Sequence, residues 1–171
     1  MQAFCALKDG QMDQVETLIK EGGDIHRVTE SERWTYLHKM FTSPSISPEE
    51  RTPPESIQFL IDQGLDVNAV DSYGNTPLLY AVRQRNVDGM RLLLANGADR
   101  MIEHQNLDGI SALRMVFDRM PIEYDVTQTL LEYGANPNEN DHGCSVQELV
   151  HSIVGVDAKV IELIDQYASE S

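Results

Sequence analysis

The sequence predicts an all-α solenoid of stacked helix-turn-helix units, and three observations carry that prediction. First, a Gly-X-Asp/Asn signature recurs as Gly22-Gly23-Asp24, Gly64-Leu65-Asp66, Gly97-Ala98-Asp99 and Gly134-Ala135-Asn136, with first glycines 42, 33 and 37 residues apart. Those spacings bracket a period in the low thirties with insertions, the mark of a repeat array. Second, each signature ends a stretch with apolar residues on one helical face: Val15, Leu18, Ile19; Ile57, Leu60, Ile61; Met90, Leu92, Leu93, Leu94; Val126, Leu130, Leu131. Such stripes demand burial. Third, a turn-and-cap segment follows, clearest in Asp71-Ser72-Tyr73-Gly74-Asn75-Thr76-Pro77-Leu78-Leu79. Gly74 suits a tight turn, Thr76 caps the new helix, and Pro77 falls at a first helical position where its missing N–H costs nothing.

Taken in order, Met1 to Lys20 supplies two short helices joined around Gly10, with Phe4, Ala6 and Leu7 on the first. In the second unit Trp34-Thr35-Tyr36-Leu37-His38 keeps the capping threonine, but Arg33 stands where the turn glycine is expected and Tyr36 where the proline is. This unit is also eight positions longer than the third. The excess falls in residues 43–54, which hold four of the seven prolines and cannot form a continuous helix. Gly109-Ile110-Ser111-Ala112-Leu113 opens the fourth unit, with Ser111 as the cap and a short insertion around Met120-Pro121. Gly143-Cys144-Ser145-Val146 opens a last, degenerate unit closed by an amphipathic helix over Val156 to Tyr167.

The stretch from 71 to 99 resembles the ankyrin repeat family, whose pattern runs Asp-x-x-Gly-x-Thr-Pro-Leu-His-x-Ala, then Leu-Leu, then Gly-Ala-Asp-x-Asn. The resemblance implies a single ankyrin-repeat solenoid over 1–171 with short β-turn or hairpin fingers. Its units are about 1–29 as N-terminal cap, 30–70 with the proline-rich loop 43–54, 71–105, 106–139, and 140–171 as C-terminal cap. Stacked repeats share a continuous core, so five units make a plausible array.

Composition bounds the function classes. Twenty-eight acids against 13 Lys+Arg give a net charge of −15, which disfavours nucleic acid and anionic membrane and suits a basic protein partner. Mean hydropathy is −0.35 and no apolar run is long enough to span a bilayer. Cys5 and Cys144 lie near opposite ends of the chain, so two free thiols and a cytoplasmic location are expected.

No catalytic constellation stands out. The five histidines (His26, His38, His104, His142, His151) show no metal-ligand spacing, and no phosphate loop or nucleophile elbow is present. Neither enzyme activity, nor a cofactor, nor a metal is expected. His38 matches the family's helix-start histidine, which implies a scaffold role.

The resemblance implies a partner on the concave face, formed by the turn fingers and the exposed side of each first helix. The candidate contacts are Glu32, Trp34, Asp71, Ser72, Tyr73, Asn75, Arg83, Leu107, Asp108, Ile110, Asp118, Asp141 and His142. Trp34 and Tyr73 are the expected anchors, since exposed aromatic residues bring large contact area with few rotamers to freeze. For Trp34 a second reading stays open, in which it packs beside the irregular turn. Glu32, Asp71, Asp108, Asp118 and Asp141 would form an acidic rim that steers a basic partner. The expected function is binding and inhibition of one basic protein by a monomeric domain, as an immunity protein or antitoxin covers a toxin. The alternative is an adaptor or scaffold joining regulatory partners.

Overall fold

The computed structural model describes residues 2–42, 51–141 and 143–170. Its helices pack in consecutive pairs: α1 (Gln2–Lys8) with α2 (Met12–Lys20), α3 (Tyr36–Met40) with α4 (Pro54–Asp62), α5 (Pro77–Arg83) with α6 (Val87–Ala95), α7 (Ala112–Met115) with α8 (Tyr124–Glu132), and α9 (Val146–Ser152) with α10 (Ala158–Glu170). Pairs stack in two layers. The inner layer runs through α3, α5 and α7, and the outer through α4, α6, α8 and α10. This is the all-α solenoid that the period and the apolar stripes predict.

The stripes build one continuous core. Ile57 and Leu60, Met90, Leu93 and Leu94, then Val126, Leu130 and Leu131 are all at most 2% exposed. Burying each such side chain contributes roughly 1.5–3 kcal/mol relative to leaving it in water. Gly97, like its three counterparts, has positive φ (+103°), so the chain leaves each outer helix in the left-handed turn that the signature glycine permits. The Asp or Asn two residues later closes a local turn: Asp24, Asp66 and Asn136 each accept the backbone N–H two positions on, at 2.9 Å. Asn68 Nδ2 then donates to the Gly97 carbonyl of the next unit at 3.0 Å, satisfying an orphan acceptor beyond a helix end.

The capping residues behave as their chemistry dictates. Thr35, Thr76, Ser111 and Ser145 each accept an N–H in the first turn of the helix they precede, and Thr35 and Ser145 form full capping boxes with His38 and Glu148. Arg33 has φ +58°, so the second unit bears the strain of a side chain in the left-handed region, and its finger is one residue longer than the third unit's: Thr29 bonds to Trp34 where Asp71 bonds to Asn75.

Two boundaries differ from expectation. Of the proline-rich segment 43–54, residues 43–50 lie outside the described residues, and Pro54, expected in the loop, is the first residue of α4. There its fixed φ is already helical, and Thr52 ahead of it is buried and donates to the Met40 carbonyl at 2.8 Å. α7 is a single turn continued by a 3₁₀ segment over Val116–Asp118. The last helix begins at Ala158 rather than Val156, because Asp157 Oδ1 accepts the Lys159 N–H at 2.9 Å and caps it. A two-residue hairpin, β1 (Asn140–Asp141) with β2 (Cys144–Ser145), forms the last finger. Cys5 and Cys144 are free.

Candidate partner-binding face

The fingers are built around one buried carboxylate. Asp71 Oδ1 accepts the backbone N–H groups of Tyr73 and Asn75, both at 2.8 Å, which closes the turn. Asp71 Oδ2 accepts Trp34 Nε1–H at 2.9 Å and the Tyr80 hydroxyl at 2.7 Å, which ties the second unit to the third. Burial, together with the bond to Asp71, pushes the Tyr80 hydroxyl up to about 12. Asn106 repeats the turn-closing role in the fourth unit: its Oδ1 accepts the N–H groups of Asp108 and Ile110 at 3.0 Å, and its Nδ2 donates to Asn75 Oδ1 at 3.0 Å.

Neighbouring fingers are joined through their backbones. The Ser72 N–H donates to the Glu32 carbonyl at 2.8 Å, and the Leu107 N–H to the Tyr73 carbonyl at 3.0 Å. This close approach requires a glycine at 74, where φ is +78° and a Cβ would stand 2.7 Å from the Leu107 nitrogen.

His38 is fully buried. Its Nε2 lies 3.2 Å from the Asn75 carbonyl and its Nδ1 3.2 Å from the Thr35 backbone N–H. A carbonyl only accepts, so Nε2 carries the proton and Nδ1 accepts. Burial is the leading influence and holds the imidazole below its ordinary value. The Tyr80 ring stands edge-on to both Trp34 and His38, with ring centres 6.0 Å apart in each pair.

The thirteen sequence candidates therefore occupy different environments. Asp71 and Asn75 are each 5% exposed and do not present their side chains outward: Asp71, expected on the acidic rim, is the acceptor that holds the finger together. Trp34 is half-buried. Its N–H is engaged by Asp71, while the residue lines two hollows. Tyr73 and Leu107 are 55% and 78% exposed. Ser72, Asp108 and Asp118 are exposed, and Glu32, Arg83 and Ile110 half-buried. A hydrogen bond from Ser31 is the chief influence holding the Glu32 carboxyl below its ordinary value. Asp141 pairs with Cys144 in the hairpin, and His142 lies outside the described residues.

Two hollows meet at Trp34 and Thr42. One, of about 480 Å³, also brings together Phe41, Tyr73, Asn75, Tyr80, Arg83, Gln84, Asp108 and Arg119. The other, of about 610 Å³, is completed by Phe4, Arg27, Thr29, Glu30, Tyr36 and Lys39. Of the sequence candidates, Trp34, Tyr73 and Arg83 line one hollow together, whereas the Phe4, Arg27 and Lys39 wall was not among them, because those residues come from the N-terminal cap and its junction with the second unit, where no motif marks them. Asn106 could have been found, since it precedes Ile110 by the same four residues that separate Asp71 from Asn75. Among the described residues no group of three His, Cys, Asp or Glu side chains could hold a metal ion, and no helix is long and apolar enough to cross a membrane.

Comparison with known proteins agrees with this architecture. A family model described as ankyrin repeats (3 copies) matches residues 3–106 and 54–141. A putative ankyrin repeat protein of Acanthamoeba polyphaga mimivirus is 33% identical over 139 residues, covering 75% of this chain and 21% of that one. The ankyrin repeat and SOCS box protein 6 of Homo sapiens is 31% identical over 156 residues, covering 78% of this chain and 35% of that protein. A putative ankyrin repeat protein of Fowlpox virus is 36% identical over 84 residues, 49% of this chain. The chain thus spans 21% to 35% of the length of the first curated relatives it matches.

Proposed function

Because the chain belongs to the ankyrin repeat family, a non-catalytic protein-interaction module, we propose that it binds one protein partner on the concave face centred on Trp34, Tyr73 and Arg83. The observation that carries this reading is the joined pair of hollows, in which aromatic rings and cations from several units line one accessible surface. The rings are already oriented: Trp34 and Tyr80 share the Asp71 carboxylate, so little side-chain freedom is lost when a partner docks.

The net charge of −15 supports a narrower form of the reading, in which the partner is basic overall and its activity is covered on binding, as an immunity protein covers a toxin. Acid excess would raise its association rate more than its affinity. A second reading, an adaptor, is favoured by one observation: the matched SOCS box protein is about three times longer than the segment it shares with this chain, so a similar array can serve beside other modules.

Capture of the partner from the native source at about 0.15 M and 1 M salt, where screening lengths differ from about 8 to 3 Å, tests these readings. Tyr73→Ala combined with Arg83→Ala should reduce capture of a single basic protein at least about tenfold, a loss of at least about 1.4 kcal/mol. Undiminished capture by that variant sinks the concave-face reading. Several salt-insensitive partners favour the adaptor.

A further inference from the structure

Among the side chains that line the two hollows cations outnumber carboxylates, the reverse of the chain as a whole. Arg27 and Lys39 line one hollow and Arg83 and Arg119 the other, against the acids Glu30 and Asp108. Four of the 13 basic residues thus meet two of the 28 acidic ones, where an even distribution would leave acids in the majority.

Among the described residues none of the four cations stands within ion-pair distance of a carboxylate, although, after the hydrogen bond from Ser31, the Lys39 ammonium contributes to holding the Glu32 carboxyl below its ordinary value. The Lys39 ammonium lies 5.4 Å from the centre of the Tyr36 ring, and the Arg83 guanidinium 5.7 Å from that of Tyr80. A cation resting on a ring face keeps N–H donors for an incoming acceptor, and a guanidinium keeps its fork of donors in its own plane. Trp34 lines both hollows, so a chain lying along both passes beside it.

We propose that the groove receives an extended acidic segment of the partner protein, with carboxylates on Arg83 and Arg119 at one end and on Arg27 and Lys39 at the other, and an apolar side chain against Trp34 and Tyr73. The proposal rests on the concave face being the partner surface. It is compatible with a partner that is basic overall, since the field of the whole chain acts during approach while the groove acts at contact.

The test uses three synthetic peptides of about twelve residues, each with the same central Phe-Leu pair, flanked by Glu, by Gln or by Lys. Trp34 is the sole tryptophan, so its emission reports occupancy of the groove directly. The Glu peptide should saturate the Trp34 signal with an affinity at least about tenfold above the Gln peptide, and the Lys peptide should bind most weakly. Arg83→Gln with Arg119→Gln should remove part of the Glu peptide's advantage and the addition of Arg27→Gln and Lys39→Gln should bring that peptide down to the Gln level, whereas Arg91→Gln, on the exposed side of α6, should leave it unchanged. An unaltered unfolding midpoint in the variants separates lost contact from lost fold. Equal or tighter binding of the Lys peptide, no effect of the groove arginines, or silence from all three peptides overturns the inference. If the captured partner still shifts Trp34 emission in those cases, the concave-face reading stands without it. A bound partner that leaves Trp34 unmoved and tolerates the Tyr73 and Arg83 alanines removes both.

Discussion

Replacing Asp71 by Ala should cost the domain about 4 kcal/mol, and the structure shows how that figure arises. The carboxylate accepts four hydrogen bonds of 2.7–2.9 Å at a position 5% exposed. Without it the Tyr73 and Asn75 N–H groups lose their acceptor, while Trp34 Nε1–H keeps only the Tyr80 hydroxyl, at 3.2 Å. Two to three orphaned donors at about 1–3 kcal/mol each, offset in part by no longer desolvating a carboxylate, give about 4 kcal/mol. For a domain of this size that corresponds to a fall in Tm of about 8–16 °C. Asp71→Asn should cost only about 2 kcal/mol, because Oδ1 still serves both backbone groups while the new NH₂ meets the Trp34 N–H, donor against donor. Asn106 already performs that backbone half of the role. Urea unfolding followed by far-UV circular dichroism and by Trp34 emission measures both variants. A loss below about 1 kcal/mol for Asp71→Ala, or equal losses for the two variants, refutes the division of labour between the two oxygens.

The fingers invite a pair of opposite tests. Gly74→Ala should destabilise by about 2–4 kcal/mol, since it adds left-handed strain to a 2.7 Å approach to the Leu107 backbone, whereas Arg33→Gly should stabilise by up to about 1 kcal/mol by relieving φ +58°; urea midpoints report both. His38 makes stability pH-dependent. The unfolded chain takes up its proton near the ordinary 6.5, while the buried ring resists until lower pH, so the unfolded state binds more protons and stability falls as pH drops below about 6.5 towards the folded value. Unfolding midpoints at pH 7.5 and 5.5 should show that fall, and His38→Gln should flatten it; Glu32 and Asp165, held below ordinary values of 4.5 and 3.8, act in a more acidic window.

Much of the fold was legible because its signals are local. A glycine that must take positive φ, a Thr or Ser that caps a helix, and a stripe such as Ile57, Leu60 and Ile61 each declare themselves within a few residues. Arg33 shows the limit of that reading. The missing glycine suggested an altered turn, and the finger is one residue longer, with Thr29 bonded to Trp34 where Asp71 is bonded to Asn75, yet Arg33 still takes the positive φ and the Ser72 N–H still reaches the Glu32 carbonyl.

The sequence by itself determined the repeat, the layered helices and the acidic net charge, because periodicity and composition are properties of the chain taken in order. Only the tertiary structure decided what each polar side chain faces. Asp71 and Asp108 are both acidic residues of fingers, but Asp71 is enclosed by Trp34, Tyr80 and two backbone amides, whereas Asp108 is exposed. Likewise Arg27, Lys39, Arg83 and Arg119 are scattered through an acidic sequence and come to line two adjoining hollows through stacking. Burial and proximity are set by residues tens of positions away, and no local pattern encodes them.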